Sequence, residues 1–279
     1  MEKIRHLNST DIAASLELSV FAGWNQTAED WRMLLRLAPE GCFGLEVEDR
    51  LVATTTLICY GKQLGWIGMV LTHPEFRGRG FAKRLLEHVL QRADAAGICT
   101  LKLDATDQGK PLYEKYGFKT EQAVERWGGE CAEVEPAGSG DLEGVGVLDS
   151  KAFGADRSVL LQALASRGSC ICSGGGFLMT RTGRSAAYLG PCVARDVKTA
   201  RDLLSQLFQR RREVKAAIQS RQPEVRQWYW DLLPDNKAAI EIANELGFTP
   251  KRQLTRMVRG EGFRGQDGLV YAIAGFEIG

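Results

Sequence analysis

Arginine and glycine alternate at Arg77-Gly78-Arg79-Gly80, immediately before an apolar-striped segment that opens at Phe81. Those residue types at that spacing are suited to holding an anion. A helix N-terminus leaves backbone N–H groups unpaired and carries partial positive charge. Glycines, lacking Cβ, let those amides approach a ligand closely, and arginines add charge for phosphate oxygens. The turn is not a Walker A loop, since no GxxxxGK[ST] occurs. Nor is it the dinucleotide GxGxxG, because Lys83 stands where the third glycine falls. By itself it reads as a phosphate cradle, a packing turn or a basic patch. Little else competes for chemistry. The seven cysteines (Cys42, Cys59, Cys99, Cys131, Cys170, Cys172 and Cys192) form no CxxC pair, and there are three histidines, so no metal site is expected. The thiols read as reduced and buried, with Cys170 and Cys172 alternating as on a strand.

The elements around the turn are those a cradle needs. Trp66 to Thr72 is a short apolar run, read as a buried strand that Pro74 stops. After the turn, Ala82, Leu85, Leu86, Val89, Leu90 and Ala93 form the stripe of an amphipathic helix. Ile98 to Ala105 predicts the next strand, and Lys110 to Tyr116 a short helix closed by Gly117. Strand, glycine-rich turn, helix and strand make a parallel crossover. Upstream, Ser9-Thr10-Asp11 is read as capping a first helix, and Thr27 a second with Trp31 in the core. Gly41 to Glu48 and Leu51 to Cys59 read as strands around a turn at Asp49-Arg50.

Val70, Pro74, Arg77, Gly78, Gly80 and Ala82, followed by Leu112, Tyr113, Gly117 and Phe118, spell V-x-x-x-P-x-x-R-G-x-G-x-A and then L-Y-x-x-x-G-F. This compound pattern, over most of residues 1–128, closely resembles the GNAT superfamily of acyl-CoA-dependent N-acyltransferases. The resemblance implies acetyl-CoA, or another acyl-CoA, as cofactor, with a primary amine attacking directly in a ternary complex. Backbone amides of Arg77, Gly78, Arg79, Gly80, Phe81 and Ala82 would hold the CoA pyrophosphate. Met69, Val70, Leu71 and Thr72, on a splayed strand, would pair with the pantetheine arm. Tyr113 stands where the family places the acid that protonates the departing thiolate. Thr106 stands where the family often has Asn, and a hydroxyl lacks the two donors of an amide. The amine must also lose a proton, to a base or an ordered water. The strand at Trp66 to Thr72 lacks the glutamate many relatives use there, which leaves Asp104, Glu46 and His73 as base candidates. Trp24, Asn25 and Gln26 fall in the segment that lines the acceptor side of that fold.

The unit is written twice. Gly117-Phe118 recurs as Gly247-Phe248, 130 residues on, and Ser9-Thr10-Asp11 is echoed at Gly138 to Leu142. Ala82 to Arg92 resembles Ala200 to Arg210, 118 residues on, with five of eleven positions identical. The second copy has Asp196 and Lys198 where Gly78 and Gly80 stand, and Ala243 at the tyrosine position. It reads as a domain without its catalytic equipment, completing a substrate pocket or an interface. Gly128 to Gly140 is the predicted linker.

The chain has 279 residues and 44% hydrophobic content, enough for two cores, and a net charge of +1, which argues against a dedicated nucleic-acid binder. Arg210-Arg211-Arg212, Arg221 and Arg226 are interrupted by Glu213 and Glu224, so the basic stretch before Trp228, Tyr229 and Trp230 reads as a solvated helix end. The first residues carry charge where a signal peptide has its apolar core, and no run of 18 apolar residues exists, so a cytoplasmic chain without a membrane segment is expected. The expected architecture is α/β (α+β): tandem GNAT-like domains, each a mixed, partly splayed sheet flanked by helices. Residues 1–134 would be the catalytic domain and 135–279 the degenerate one. The expected activity is that of an N-acetyltransferase acting on a small-molecule or protein amine; the alternative is a non-catalytic acyl-CoA sensor. The sequence leaves the acceptor, the acyl chain and the oligomeric state open.

Overall fold

The architecture comes from a computed structural model that describes residues 1–132, 142, 144–217 and 225–279, with backbone alone at 131–132, 209–217 and 225–226. The predicted linker from residue 133 to 140, the helix start at Gly138 to Asp141, and the side chains of Arg210, Arg211, Arg212, Arg221 and Arg226 lie outside the described residues. Two compact units result. One comprises Met1–Glu121, Arg256–Phe263 and Ile278; the other Gln122–Thr255, Arg264–Glu277 and Gly279. Among the described residues no helix is long and apolar enough to cross a membrane.

In chain order the elements are β1 (Glu2–His6), α1 (Ile12–Phe21), α2 (Ala28–Leu37), β2 (Cys42–Val47), β3 (Arg50–Tyr60), β4 (Leu64–Thr72), α3 (Phe81–Ala95), β5 (Thr100–Ala105), α4 (Lys110–Lys115) and β6 (Lys119–Ala132). Then follow α5 (Val145–Phe153), α6 (Ser158–Ala165), β7 (Gly168–Ser173), β8 (Gly176–Arg181), β9 (Ala187–Ala194), α7 (Val197–Ala217), β10 (Val225–Leu232), α8 (Lys237–Glu245), β11 (Thr249–Gly260) and β12 (Val270–Ala272).

The first unit is a mixed sheet in the order β1-β2-β3-β4-β5, antiparallel until the parallel β4–β5 pair. The predicted stripe of α3 is its buried face: Leu85, Leu86, Val89, Leu90 and Ala93 pack with Phe43, Leu45, Ile67 and Leu101. Each such leucine contributes roughly 1.5–3 kcal/mol. The second unit orders β7-β8-β9-β10-β6, again with one parallel pair, β9–β10. Its core holds Trp228, Trp230 and Phe248, the last two edge-to-face at 5.4 Å, so the aromatics after the basic stretch are interior packing.

Strand ends are exchanged between the sequence repeats. Most of β6, from Gln122 on, belongs to the second unit, and the end of β11, from Arg256, belongs to the first. Arg126 and Arg256 are 130 residues apart, the spacing of the repeat. Arg126 grips Asp231 on β10 through Nε and Nη2, both at 2.7 Å, and Arg256 grips Asp104 on β5 at 2.8 and 3.0 Å. Each arginine is thus paired with the carboxylate of the other copy's strand.

Several local elements differ from their expectation. The predicted linker's first residues, Gly128 to Ala132, are strand. The ring of Phe248 lies where a Cβ on Gly129 would stand (3.0 Å), so the glycines serve close packing and leave no side-chain alternation to read. The β2–β3 turn falls at Glu48-Asp49, both with positive φ (51° and 64°), one residue earlier than expected. The first cap is Asn8, whose side chain accepts from the Thr10 N–H at 2.8 Å, with Asp11 closing a capping box. Cys42, Cys170 and Cys192 are buried, and burial pushes their thiols up to about 12. Cys59 and Cys99, expected to be buried, are exposed: Cys59 turns out of β3 and Cys99 precedes β5.

Candidate functional site

The turn into α3 is built for close approach. Gly78 and Gly80 both lie in the left-handed region (φ 78° and 79°), where a side chain costs roughly 1–2 kcal/mol. A Cβ on either would meet no protein atom within 4 Å, so local crowding does not demand glycine here. Residues 77–80 are exposed, and among the described residues no side chain caps the first turn of α3. The Arg77 N–H donates to the Pro74 carbonyl at 3.3 Å, which leaves Gly78 to Ala82 to supply outward amides. The Arg79 guanidinium stacks 4.8 Å from the Phe76 ring centroid, and Arg77 Nε donates to the Thr72 carbonyl at 3.4 Å.

Beside the turn the sheet opens. The β4–β5 ladder runs through Leu64–Thr100, Gly65–Leu101 and Trp66–Lys102 and stops there. Beyond it, Met69 takes φ 49° in the middle of β4, and the β3–β4 register shifts between Thr54 and Thr56. A bulge at a non-glycine residue with positive φ is a strained feature that the surrounding structure must hold. Thr54 holds it, its hydroxyl donating to the Met69 carbonyl at 2.9 Å. Leu71 and Thr72 keep their β3 partners on one side, so the Met69 to Thr72 edge toward β5 has no ladder among the described residues. The Thr54-Thr55-Thr56 run is fully buried, and its one mark in the sequence is three consecutive threonines within a strand.

Tyr113 projects from α4 with 7% exposure, edge-on to Phe118 at 6.0 Å. Burial raises its phenol well above the ordinary tyrosine value. Gly109 lies beneath the ring, where a Cβ would come within 3.0 Å of it. The Thr106 hydroxyl accepts from the Gly109 N–H at 3.1 Å and so ties the turn that leads into α4. Tyr116 bonds Glu87 at 2.5 Å, which fixes it as a structural group.

The three base candidates are each held by other groups. Asp104, its side chain fully shielded, is bidentate to Arg256, whose guanidinium also lies 4.7 Å from the Trp66 ring centroid. Glu46 accepts from Arg5 Nε at 2.7 Å. His73 Nδ1 accepts from the Glu75 N–H at 3.3 Å, and its Nε2 lies 2.8 Å from Arg50 Nη2. On the predicted acceptor side, Trp24 is half-buried, while Asn25 and Gln26 are 2% and 4% exposed, ahead of a Thr27–Asp30 capping box. Gln26 Oε1 and Thr56 Oγ1 are buried and meet no hydrogen-bond partner among the described residues.

The second copy aligns at its far end. Phe118 N–H donates to the Tyr113 carbonyl (3.2 Å), and Phe248 N–H to that of Ala243 (2.9 Å), so alanine occupies the tyrosine's place. At the turn, Leu203, Leu204 and Leu207 repeat the buried stripe of α3, yet α7 begins at Val197, extended toward its N-terminus. Lys198 is therefore inside the helix, and Asp196 Oδ1 accepts from the Thr199 N–H at 2.8 Å. That bond, with the Thr199 hydroxyl, draws the Asp196 carboxyl below its ordinary value. The helix N-terminus is occupied by the chain's own carboxylate. Among the described residues no group of three or more His, Cys, Asp or Glu could hold a metal ion.

A turn of open glycines before an uncapped helix, beside a bulged and splayed parallel pair, is carried on a mixed α/β fold. The GNAT acetyltransferase family model matches residues 10–118, and a second GNAT acetyltransferase domain model matches residues 145–272. The chain belongs to the GNAT acetyltransferases and carries two such domains in tandem. It is 30% identical over 183 residues to the uncharacterized N-acetyltransferase YitH of Bacillus subtilis, a match covering 62% of this chain and 63% of that one. It is 24% identical to holothin acyltransferase of Pseudoalteromonas sp., over 94% of this chain and 90% of that protein. A crystal structure from Pyrococcus horikoshii, ascribed to the acetyltransferases, shares the fold with a TM-score of 0.84 at 23% identity, covering 100% of this chain and 96% of that one. Family membership supports an acyl-CoA-dependent N-acyltransferase.

Proposed function

We propose that the chain transfers an acetyl group from acetyl-CoA to a primary amine, by direct attack in a ternary complex, with residues 1–134 as the working copy and 135–279 as the silent one. The reading rests above all on the uncapped α3 turn with its two open, positive-φ glycines. Amides of Gly78 to Ala82, with Arg77 and Arg79, would hold the pyrophosphate. The unladdered Met69 to Thr72 edge would take the pantetheine arm. Bound acetyl-CoA supplies the activated acyl group. Tyr113, whose burial keeps its proton in place, donates to the leaving sulfur. Gln26 Oε1, buried and without a partner, accepts from the incoming amine. With Asp104, Glu46 and His73 held by other groups, the amine's proton leaves through water.

That same engagement of every base candidate favours a second reading, an acyl-CoA sensor without turnover. Thiol release from acetyl-CoA across a panel of amines separates the two. Amine-stimulated release supports the transferase; tight binding with no amine stimulating release supports the sensor. The cradle has its own test in Gly80→Asp, which copies the capping carboxylate of Asp196. Acetyl-CoA affinity is expected to fall about 100-fold, on the order of 3 kcal/mol. Stability should change by only about 1 kcal/mol, since Asp tolerates the left-handed region better than most residues. Unchanged affinity by calorimetry would displace the cradle from this turn.

A further inference from the structure

Among the described residues, those other than glycine with positive φ are Glu48 and Asp49, in the β2–β3 turn, and Met69. A turn accounts for the first two. Met69 is buried inside a strand, where such a conformation persists only if its surroundings over-determine it. Both peptide groups that flank Met69 are gripped from β3. The Thr54 hydroxyl donates to the Met69 carbonyl at 2.9 Å, and the Thr55 hydroxyl reaches the Gly68 carbonyl at a longer 3.5 Å. Valine would fill the space of Thr54 and suit a strand equally well, so the hydroxyl is the part of this residue that packing does not require.

The Thr54 bond sets the direction of the next amide. A trans peptide is planar, so the Val70 N–H opposes the Met69 carbonyl. With that carbonyl drawn to a side chain of β3, the N–H points away from β3, toward the edge where the β4–β5 ladder has ended at Trp66–Lys102. Neither Met69 nor Val70 has an opposite residue on β3, because the register passes from Thr54–Leu71 to Thr56–Gly68. Exposure also returns to β4 at Val70, after an unbroken buried run from Leu64 to Met69. All of these residues belong to the first unit.

We propose that Thr54 is a positioning residue for acyl transfer: by holding the Met69 carbonyl it keeps the Val70 N–H aimed into the splayed edge, as a donor to the thioester oxygen of a bound acyl-CoA. The Thr54 hydroxyl itself touches neither cofactor nor acceptor. As the amine's C–N bond forms and the C–S bond breaks, charge gathers on that oxygen, and a donor fixed beforehand needs no reorganisation to meet it. The sulfur leaves with the proton of Tyr113, and the amine's proton goes to water. The assignment rests on the transferase reading above for its chemistry and on the bulge at Met69 for its geometry.

The test uses the full chain with Thr54→Val, which keeps the shape and removes the donor, and Thr54→Ser, which keeps the donor. In Thr54→Val, kcat is expected to fall about 10- to 100-fold, while acetyl-CoA affinity stays within about twofold because the α3 turn is untouched. Thr54→Ser should recover most of kcat. The readout apart from turnover is the infrared band of acetyl-CoA isotope-labelled at its thioester carbonyl. Bound to the parent, the band is expected at lower frequency than in free acetyl-CoA; in Thr54→Val it returns toward the free position. Thr54→Cys, a weaker donor of similar size, is expected to fall between the two, and keeps the test decisive where Thr54→Val fails to fold. An unshifted band in the parent, or a band and kcat indifferent to the loss of the hydroxyl, overturns the proposal and leaves the transferase reading standing where amines still stimulate thiol release. Acetyl-CoA affinity lost in step with kcat marks a purely structural role and overturns it as well. A band shift that depends on Thr54 without release by any amine supports the positioning role while the transferase reading fails. A parent that binds no acetyl-CoA overturns both.

Discussion

Tyr113→Phe is expected to lower kcat by about 10²- to 10⁴-fold, the range that a positioned general acid contributes. Acetyl-CoA affinity should stay within about twofold of the parent, on the same grounds. The substitution removes one oxygen and leaves the ring against Phe118 and over Gly109. The ring packing is kept, so stability should shift by less than about 0.5 kcal/mol. The pH dependence follows from the direction of the shift. Burial disfavours the phenolate, so the acid form persists through neutral and mildly alkaline conditions. A fall in rate between pH 8 and about 10 would have to come from another group. The folded-state value is raised, so the associated stability is intact below the unfolded tyrosine's value and fades as pH climbs above it. Steady-state kinetics against pH, with parent and variant side by side, reads both effects. A variant with full kcat would end the assignment of Tyr113 as the acid.

Arg256→Met is expected to destabilise the protein by about 3–5 kcal/mol, because it strands the carboxylate of Asp104 inside the first unit. That corresponds to a fall of roughly 10 °C in Tm. Adding Asp104→Asn to Arg256→Met removes the stranded charge and should recover more than half of the loss; independent additivity in the double-mutant cycle would show that the pair is not coupled. A chain ending at residue 134 lacks Arg256 together with Met257, which is buried in the first unit's core. Such a fragment is expected to show no cooperative thermal transition, and a sharp one would contradict the exchange of strand ends.

The parts of this molecule that the sequence disclosed are the local ones. The helix stripe from Leu85 to Ala93 sets its own buried face, and the positive φ of Gly78 and Gly80 is a demand that few other residues meet. The duplication was visible because the glycine-phenylalanine closure recurs with its hydrogen bond intact. What stayed hidden depends on partners distant in sequence. Asp104, Glu46 and His73 looked available because nothing local announces Arg256, Arg5 or Arg50 as their neighbours. The strand from Gly128 to Ala132 looked like a linker because glycine contributes no alternation, even where an aromatic ring requires it. The extension of α7 was invisible for a related reason: Asp196 reads equally as a loop residue and as a cap until the Thr199 N–H is seen to reach it.

The reciprocal grip of Arg126 on Asp231 and of Arg256 on Asp104 bears on how such a chain can change over generations. A duplicated domain that has lost its chemistry is ordinarily free to erode and be deleted. Here the copy with Asp196 at its helix N-terminus still furnishes the strand that neutralises a carboxylate in the copy that kept its glycines. Deletion of either copy removes a counter-ion from the survivor. On the proposed reading, in which the second copy is silent, decay of a function and loss of the sequence that once encoded it are thereby uncoupled, and that half is retained for the strand and the counter-ion it furnishes.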